Sequence, residues 1–445
     1  MVVVRSVGGL LIPDHEGCVQ IMLDIRLIRD NPQAVKAALA RVGDTTSVDS
    51  ILELDARRRT LVGEIEAMRS ERNAVSKAVP SIKDPAEKQA KISEMRALGD
   101  RLALLEKEGA EADRVFETAM LSIPNMPSED TPDGADDSAN VVAGEFGTRP
   151  EFAFQPKTHW ELGESTGLID FERGTKISGT RFYILKGELA RLQRALISFM
   201  LDVHTREHGF IEVYPPFMVK EHCLYGTGQL PKFGENLYHD AEEDFWFVPT
   251  AEVPVTNMYR DEILDNATLP LVHVAYTACF RREKMSAGKD VRGIKRGHQF
   301  DKVEMVAFVR PEESSAMLMR LMESAEHILD RLGLPWRRLQ ICAGDLSFTA
   351  AAKYDLEVWA AGCGEWLEVS SISNFRDFQA RRAGIRFRRN AGDKPEFVHT
   401  LNGSGLALPR IMIAILENYQ TGDGRIRVPE ALAPWMGGTS VIGPG

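Results

Sequence analysis

Between Val48 and Val79 apolar residues recur alternately three and four positions apart: Ile51, Leu54, Leu61, Ile65, Met68, Val75 and Val79 keep the step, and Arg58 and Arg72 occupy two seats of the same seam. A period of 3.5 over this length is the signature of a helix that packs along one narrow line against a partner. Pro80 ends the run, and Lys83-Asp84-Pro85 is a turn that restarts a helix. A second seam follows at Leu98, Leu102, Leu105, Gly109, Ala112, Phe116 and Ala119. Two seams around one short turn predict an antiparallel helical hairpin, about 45–50 Å long at 1.5 Å per residue. A hairpin docked flat on a core would need a wider apolar stripe. The expectation is therefore an arm that projects.

From Arg57 to Lys91 nine Lys and Arg stand against five Asp and Glu, a local excess of +4 on a chain of net charge −11. The chain as a whole is too acidic for a bulk nucleic-acid binder, yet a basic patch suffices to meet phosphates locally. A solvated helix face would show the same charges. Hydrophobic residues make up 44% of the chain, which excludes a mainly disordered protein, and no apolar run reaches the ~20 residues of a membrane helix. Five cysteines without a CxxC pair argue against a disulfide framework or a cysteine-rich zinc site, and point to a reducing cytoplasm. Residues 1–21 are interrupted by Pro13-Asp14-His15-Glu16 and read as a disordered extension or an over-called start, with Met22 as initiator.

The expected organisation is this extension, a helical arm over 22–122, a Pro/Asp/Ser-rich linker over 123–140 and an α+β domain over 141–445. In that domain His298–Val309 alternates, with Val303, Met305, Ala307 and Val309 on one side and Phe300, Lys302 and Glu304 on the other. That is a strand with its back to a core and a polar front. Upstream, Cys279–Gly297 carries Arg281, Arg282, Lys284, Lys289, Arg292, Lys295 and Arg296 among glycines, a basic loop suited to polyphosphate but without P-loop order. Trp366–Ser373 reads as a strand that sets Glu368 beside Ser370 and Ser371, oxygen donors that suit Mg²⁺. Asn402–Gln420 reads as a loop followed by a buried helix with Pro409 in its first turn, where Arg410 needs an anionic partner.

Several strings in one order then resemble the seryl-tRNA synthetases of the common bacterial type, a class II family. They are LDIRLIRDNP (Leu23–Pro32), GTGQLPKF (Gly226–Phe233), PTAEVPVTN (Pro249–Asn257), RGHQFDKVE (Arg296–Glu304), YDLEVW (Tyr354–Trp359), SNFRDFQARR (Ser373–Arg382) and HTLNGSG (His399–Gly405). The resemblance spans about Met22 to the C-terminus. It implies an antiparallel-sheet class II catalytic domain behind the arm, and an enzyme that uses ATP and Mg²⁺ to activate L-serine and charge tRNA(Ser), with tRNA(Sec) where present.

By resemblance, the catalytic cations are Arg281 (motif 2), which grips the α-phosphate, and Arg410 (motif 3), which lies across the nucleotide from Phe300. Arg282, Glu283, Arg296, Phe300 and the run Glu368-Val369-Ser370-Ser371 complete the ATP site, with Glu368 and Ser371 holding Mg²⁺. Strict alternation would pair Glu368 with Ser370 instead, so that assignment requires a bulge or a strand end. Serine falls to Thr250, Ala251, Glu252, Arg281, Glu304, Asn402 and Ser404. Leu189, Leu192, Leu196, Phe199 and Val203 form one helical face of motif 1, Gly209 is its cap and Pro216 is the motif 1 proline. The family pattern adds a homodimer whose arm serves the partner's site, with Arg57, Arg58, Arg69, Arg72 and Lys77 as arm contacts to RNA, and no zinc and no membrane. Two departures stand out: Glu283-Lys284-Met285-Ser286 replaces the usual Glu-Ala-Gly-Ser, and Pro409 precedes the motif 3 Arg where Gly is frequent.

Overall fold

The computed structural model describes residues 23–284 and 292–443. The expectations for residues 1–21 and Met22, and for Met285, Ser286 and Lys289, lie outside the described residues.

The heptad segments form two helices, α1 (Val48–Ala78) and α2 (Pro85–Leu121), which pack along each other. Ser47 caps α1, and Asp84 caps α2 with Pro85 in its first turn, a position where no amide donor is needed. Between Leu61 and Leu102 no described residue is buried, so the distal half of the hairpin stands away from every core. At its root Asp55 is fully buried and takes a paired hydrogen bond from Arg29, at 2.7 and 2.6 Å, which pins α1 to the short helix Ile25–Asp30. Arg58, an oddity in the apolar seam, lies over the Phe116 ring and pairs with Asp113 at 3.0 Å. It fills its seat with its stem and satisfies its charge across the hairpin.

The remainder is built on an eight-stranded sheet of β1 (Val141–Phe146), β2 (Ile211–Glu212), β3 (Leu271–Phe280), β4 (Gln299–Val309), β5 (Trp336–Gln340), β6 (Ala352–Ala360), β7 (Glu365–Arg376) and β8 (His399–Ala407). Its spatial order is β1-β5-β6-β7-β8-β4-β3-β2. All neighbours are antiparallel except β2, which runs parallel to β3. The helices that frame the sheet include α3 (His159–Thr166), α4 (Gly187–Arg206), α5 (Ser314–Arg331), α6 (Phe378–Ala383) and α7 (Leu408–Asn418). Val303, Met305, Ala307 and Val309 of β4 are wholly buried in one large core with Leu192, Leu196 and Phe199 of α4 and with α5 and α7. That sheet face is thus covered by helices; on the other face Val306 and Phe308 pack against Ala380 and Ala383 of α6, and Phe300, Lys302 and Glu304 line a cleft.

One element differs from the expectation. Residues 402–407 are strand, not loop: β8 runs through Ala407 in the middle of the sheet. Its glycines, which read as a loop, allow close packing instead. A Cβ on Gly403 would meet Ile372 at 3.0 Å, and one on Gly405 would meet the His204 ring at 2.5 Å.

Candidate active site

The cleft, about 600 Å³, lies on the sheet face opposite α4 and α5, with the first turn of α7 at its edge. Arg281 follows the last residue of β3. Its Nε donates to the Pro249 carbonyl at 3.2 Å, and its guanidinium lies 5.1 Å over the Phe300 ring. Phe300 stands opposite Cys279 in the β3–β4 register. Glu283, also on the cleft wall, is held at φ +50°, a left-handed conformation uncommon for a residue with a Cβ, and Arg296 approaches it at 3.8 Å.

Further along β4 the cleft becomes anionic. Glu304 is 1% exposed. It accepts from Lys302 Nζ at 2.6 Å, Asn402 Nδ2 at 2.9 Å and Ser404 Oγ at 3.3 Å. Asn402 Nδ2 also reaches Glu252 at 3.1 Å, and Gln379 Nε2 donates to Glu252 at 2.5 Å. Burial, and then the neighbouring Glu304, push the Glu252 carboxyl up to about 7. Thr250 lines the same pocket. Asn402 Oδ1 is buried without a hydrogen-bond partner in the described residues, an acceptor aligned with two carboxylates.

The third wall is β7. The β6–β7 register slips by one residue between Leu356 and Glu357, so that Leu356 pairs with Ser370 and Glu357 with Glu368. This bulge at Val369 is the irregularity the Glu368/Ser371 assignment requires, and it turns both side chains to the cleft. Ser370 points away and donates to the Ser404 carbonyl at 2.6 Å. Arg410 Nη1 donates to the Glu368 carbonyl at 2.6 Å and lies 3.7 Å from its carboxylate. Partial desolvation in the cleft works against the Glu368 charge, but Arg410, then Lys353 and Arg281, hold its carboxyl below the usual range. Asp355 sits opposite Ser371, with Lys353 Nζ 3.1 Å from one oxygen, while its buried Oδ1 has no hydrogen-bond partner among the described residues. Carboxylates, a hydroxyl and an unpartnered oxygen form a hard donor set, which fits Mg²⁺.

Most expected residues therefore meet in one cleft. Arg282 does not line it: adjacent residues of an extended chain point opposite ways, and Arg282 is exposed with its guanidinium 5.9 Å over Tyr238. Ala251 is fully buried behind the wall, between Thr250 and Glu252. On the arm, Arg57, Arg69, Arg72 and Lys77 are exposed and Arg69 pairs with Glu106 at 2.8 Å, whereas Arg58 is committed to the hairpin seam. Sequence reasoning missed Gln379, Lys302 as the partner of Glu304, and Asp355. Gln379 and Asp355 lie inside matched strings, and Lys302 was assigned to the polar face of β4 without a task.

The sequence from residue 22 to 127 matches the model of the seryl-tRNA synthetase N-terminal domain, and 235–419 matches the class II tRNA synthetase core domain for G, H, P, S and T. The serine–tRNA ligase of Thermomicrobium roseum is 58% identical over 422 residues, 95% of each chain. That of a Roseiflexus species is also 58% identical, over 95% of this chain and 99% of its own. The crystal structure of seryl-tRNA synthetase from Pyrococcus horikoshii complexed with ATP superimposes with a TM-score of 0.88 at 38% identity, covering 95% of this chain and all of that one. The chain belongs to the seryl-tRNA synthetase family of class II aminoacyl-tRNA synthetases.

Proposed function

We propose that this cleft carries the family's serine–tRNA ligase reaction, joining L-serine to ATP as seryl-adenylate and passing the seryl group to the 3′ end of tRNA(Ser). The observation that carries this assignment is the polarity of one cleft: a pocket of two buried carboxylates and an unpartnered amide oxygen, next to arginines on an aromatic wall. The relative from Pyrococcus is crystallised with ATP, which supports the nucleotide end.

In this reading Phe300 stacks the adenine, with Arg410 on its other side. Arg281 grips the α-phosphate and Arg296 the terminal phosphates. Glu252 and Asn402 Oδ1 take the serine ammonium, and Arg281 draws its carboxylate toward the α-phosphorus. The carboxylate attacks and pyrophosphate leaves; no protein base is needed, because the nucleophile is already an anion. The 3′ hydroxyl of the tRNA then attacks the seryl carbonyl and AMP departs. Glu368 and Ser371 would hold Mg²⁺, which when bound neutralises charge on the phosphate oxygens. Glu304 and Ser404 read the serine hydroxyl, since alanine would leave both buried groups without that partner.

The exposed basic residues of the arm support contacts to an RNA backbone, and a homodimer would let each arm serve its partner's cleft. No helix among the described residues is long and apolar enough to cross a membrane. Serine-dependent pyrophosphate exchange with Glu304→Ala tests the hydroxyl assignment. Activation is expected to fall at least ~100-fold while ATP affinity stays within about twofold. Equal losses in both would remove that role.

A further inference from the structure

His159, the first residue of α3, is wholly buried outside the cleft. Its Nε2 accepts the backbone N–H of Ile294 at 3.2 Å. That contact fixes the tautomer: the ring proton is on Nδ1, which faces Glu417 Oε1 at 2.8 Å. The Glu417 carboxylate, at the end of α7, also accepts the backbone N–H groups of His159 and Cys363, each at 2.9 Å, and the Cys363 thiol at 3.1 Å. Four donors leave it fully satisfied. The imidazole, thiol and carboxylate have the composition of a cation site. Nδ1, however, carries its proton, so it has no lone pair to give.

The surroundings are shaped for this contact. Gly293 is held at φ +74°, and a Cβ there would lie 1.9 Å from His159 Nε2. A Cβ on Gly362, in the turn between β6 and β7, would meet the Lys157 carbonyl at 2.1 Å. Two glycines thus let the returning limb of the basic loop and the β6–β7 turn close on one histidine. Directly after Ile294, Lys295 is ion-paired with Glu365 of β7, and Lys295, Arg296 and Gly297 line the cleft. The same small hub therefore ties the limb bearing Arg296 to the strand bearing Glu368 and to the helix bearing Arg410.

We propose that His159, oriented by Glu417, is a positioning residue for ATP: by holding the Ile294 amide it fixes the limb that presents Arg296 to the phosphate end of the cleft. The proposal rests on the reading of Arg296 as the group that meets the terminal phosphates. His159 itself touches no substrate. Its loss leaves the arginine in place chemically but lets its backbone wander, which weakens the hold on the β- and γ-phosphates, while Cys363 still donates to Glu417 and so keeps the β6–β7 turn joined to α7.

The test is serine-dependent pyrophosphate exchange by the full chain, together with binding of a non-hydrolysable seryl-adenylate analogue, which has no β- or γ-phosphate. His159→Ala is expected to raise the KM for ATP about tenfold, the ~1.4 kcal/mol of one net hydrogen bond. The KM for serine and the affinity for the analogue should stay within about twofold. His159→Gln, whose side-chain oxygen can accept the Ile294 N–H, should recover most of the ATP KM. Where His159→Ala fails to fold, Gly293→Ala decides, because its Cβ pushes the same limb off the ring. Parallel losses for ATP, serine and analogue, or an unchanged ATP KM in a folded variant, would overturn the proposal. Absence of serine-dependent exchange in the wild-type chain would instead sink the underlying reading of the cleft.

Discussion

Replacing Glu252 with Gln should make the empty enzyme more stable and useless. Glu252 is buried, and its carboxyl is pushed from an ordinary 4.5 to about 7 by burial and by Glu304. The folded chain therefore keeps this proton up to about pH 7, whereas the unfolded chain releases it near 4.5. Between those values the folded state binds more protons, so stability falls as pH rises, and the whole cost is present above pH 7. A gap of about 2.5 pH units at ~1.36 kcal/mol each comes to roughly 3 kcal/mol. Glu252→Gln removes that term but adds a donor facing Asn402 Nδ2, a conflict of about 1 kcal/mol. The net gain should be about 1–2 kcal/mol at pH 8 and close to zero at pH 5, where the wild-type side chain is already protonated. Urea or thermal unfolding without substrates at the two pH values measures it. Serine-dependent pyrophosphate exchange should fall at least ~100-fold in the same variant, because the ammonium loses its anion. A variant less stable at pH 8, or stabilised equally at both pH values, would refute the claim that Glu252 is held ionised against its surroundings for the sake of serine.

Two further outcomes follow from other walls of the molecule. Asp355→Asn should weaken Mn²⁺ binding in the presence of ATP about tenfold, read by electron paramagnetic resonance, while adenosine binding is unchanged; unaltered Mn²⁺ affinity would place Asp355 outside the donor set. Excising residues 62–101, where nothing is buried, and joining the ends by a short Gly-rich link should leave pyrophosphate exchange within about twofold and reduce charging of tRNA(Ser) at least ~100-fold; charging that survives would deny the arm its RNA.

The parts of the fold that rest on local periodicity were legible. The arm declares itself because a 3.5-residue repeat, a proline stop and an Asp-Pro restart are properties of neighbouring residues. The two-sided character of β4 is legible for the same reason. Gly403 and Gly405 misled because glycine marks both loops and close packing, and what distinguishes them is Ile372 or His204, far away in the chain. The bulge at Val369 was forced by a chemical demand on Ser371 before any geometry supported it. Gln379 was illegible: its contacts, Glu252 and Thr400, are 127 and 21 residues away, and nothing local sets a buried glutamine apart from an exposed one in a six-residue helix.

The spacing along β4 explains why one strand can serve two substrates. Phe300, Lys302 and Glu304 face the cleft in succession, so the aromatic and the buried carboxylate are four residues apart, about 13 Å at 3.3 Å per residue. Across that distance the lining changes from arginine over an aromatic ring to two carboxylates and an amide oxygen. A zwitterion entering this field has one favourable direction, ammonium toward Glu252 and Asn402 Oδ1 and carboxylate back toward Arg281, which is the direction in which it can attack a phosphate held by that arginine. The pleat alone fixes the separation, so orientation of the amino acid and its reactivity are consequences of a single strand's alternation, and a one-residue slip of β4 would abolish both at once.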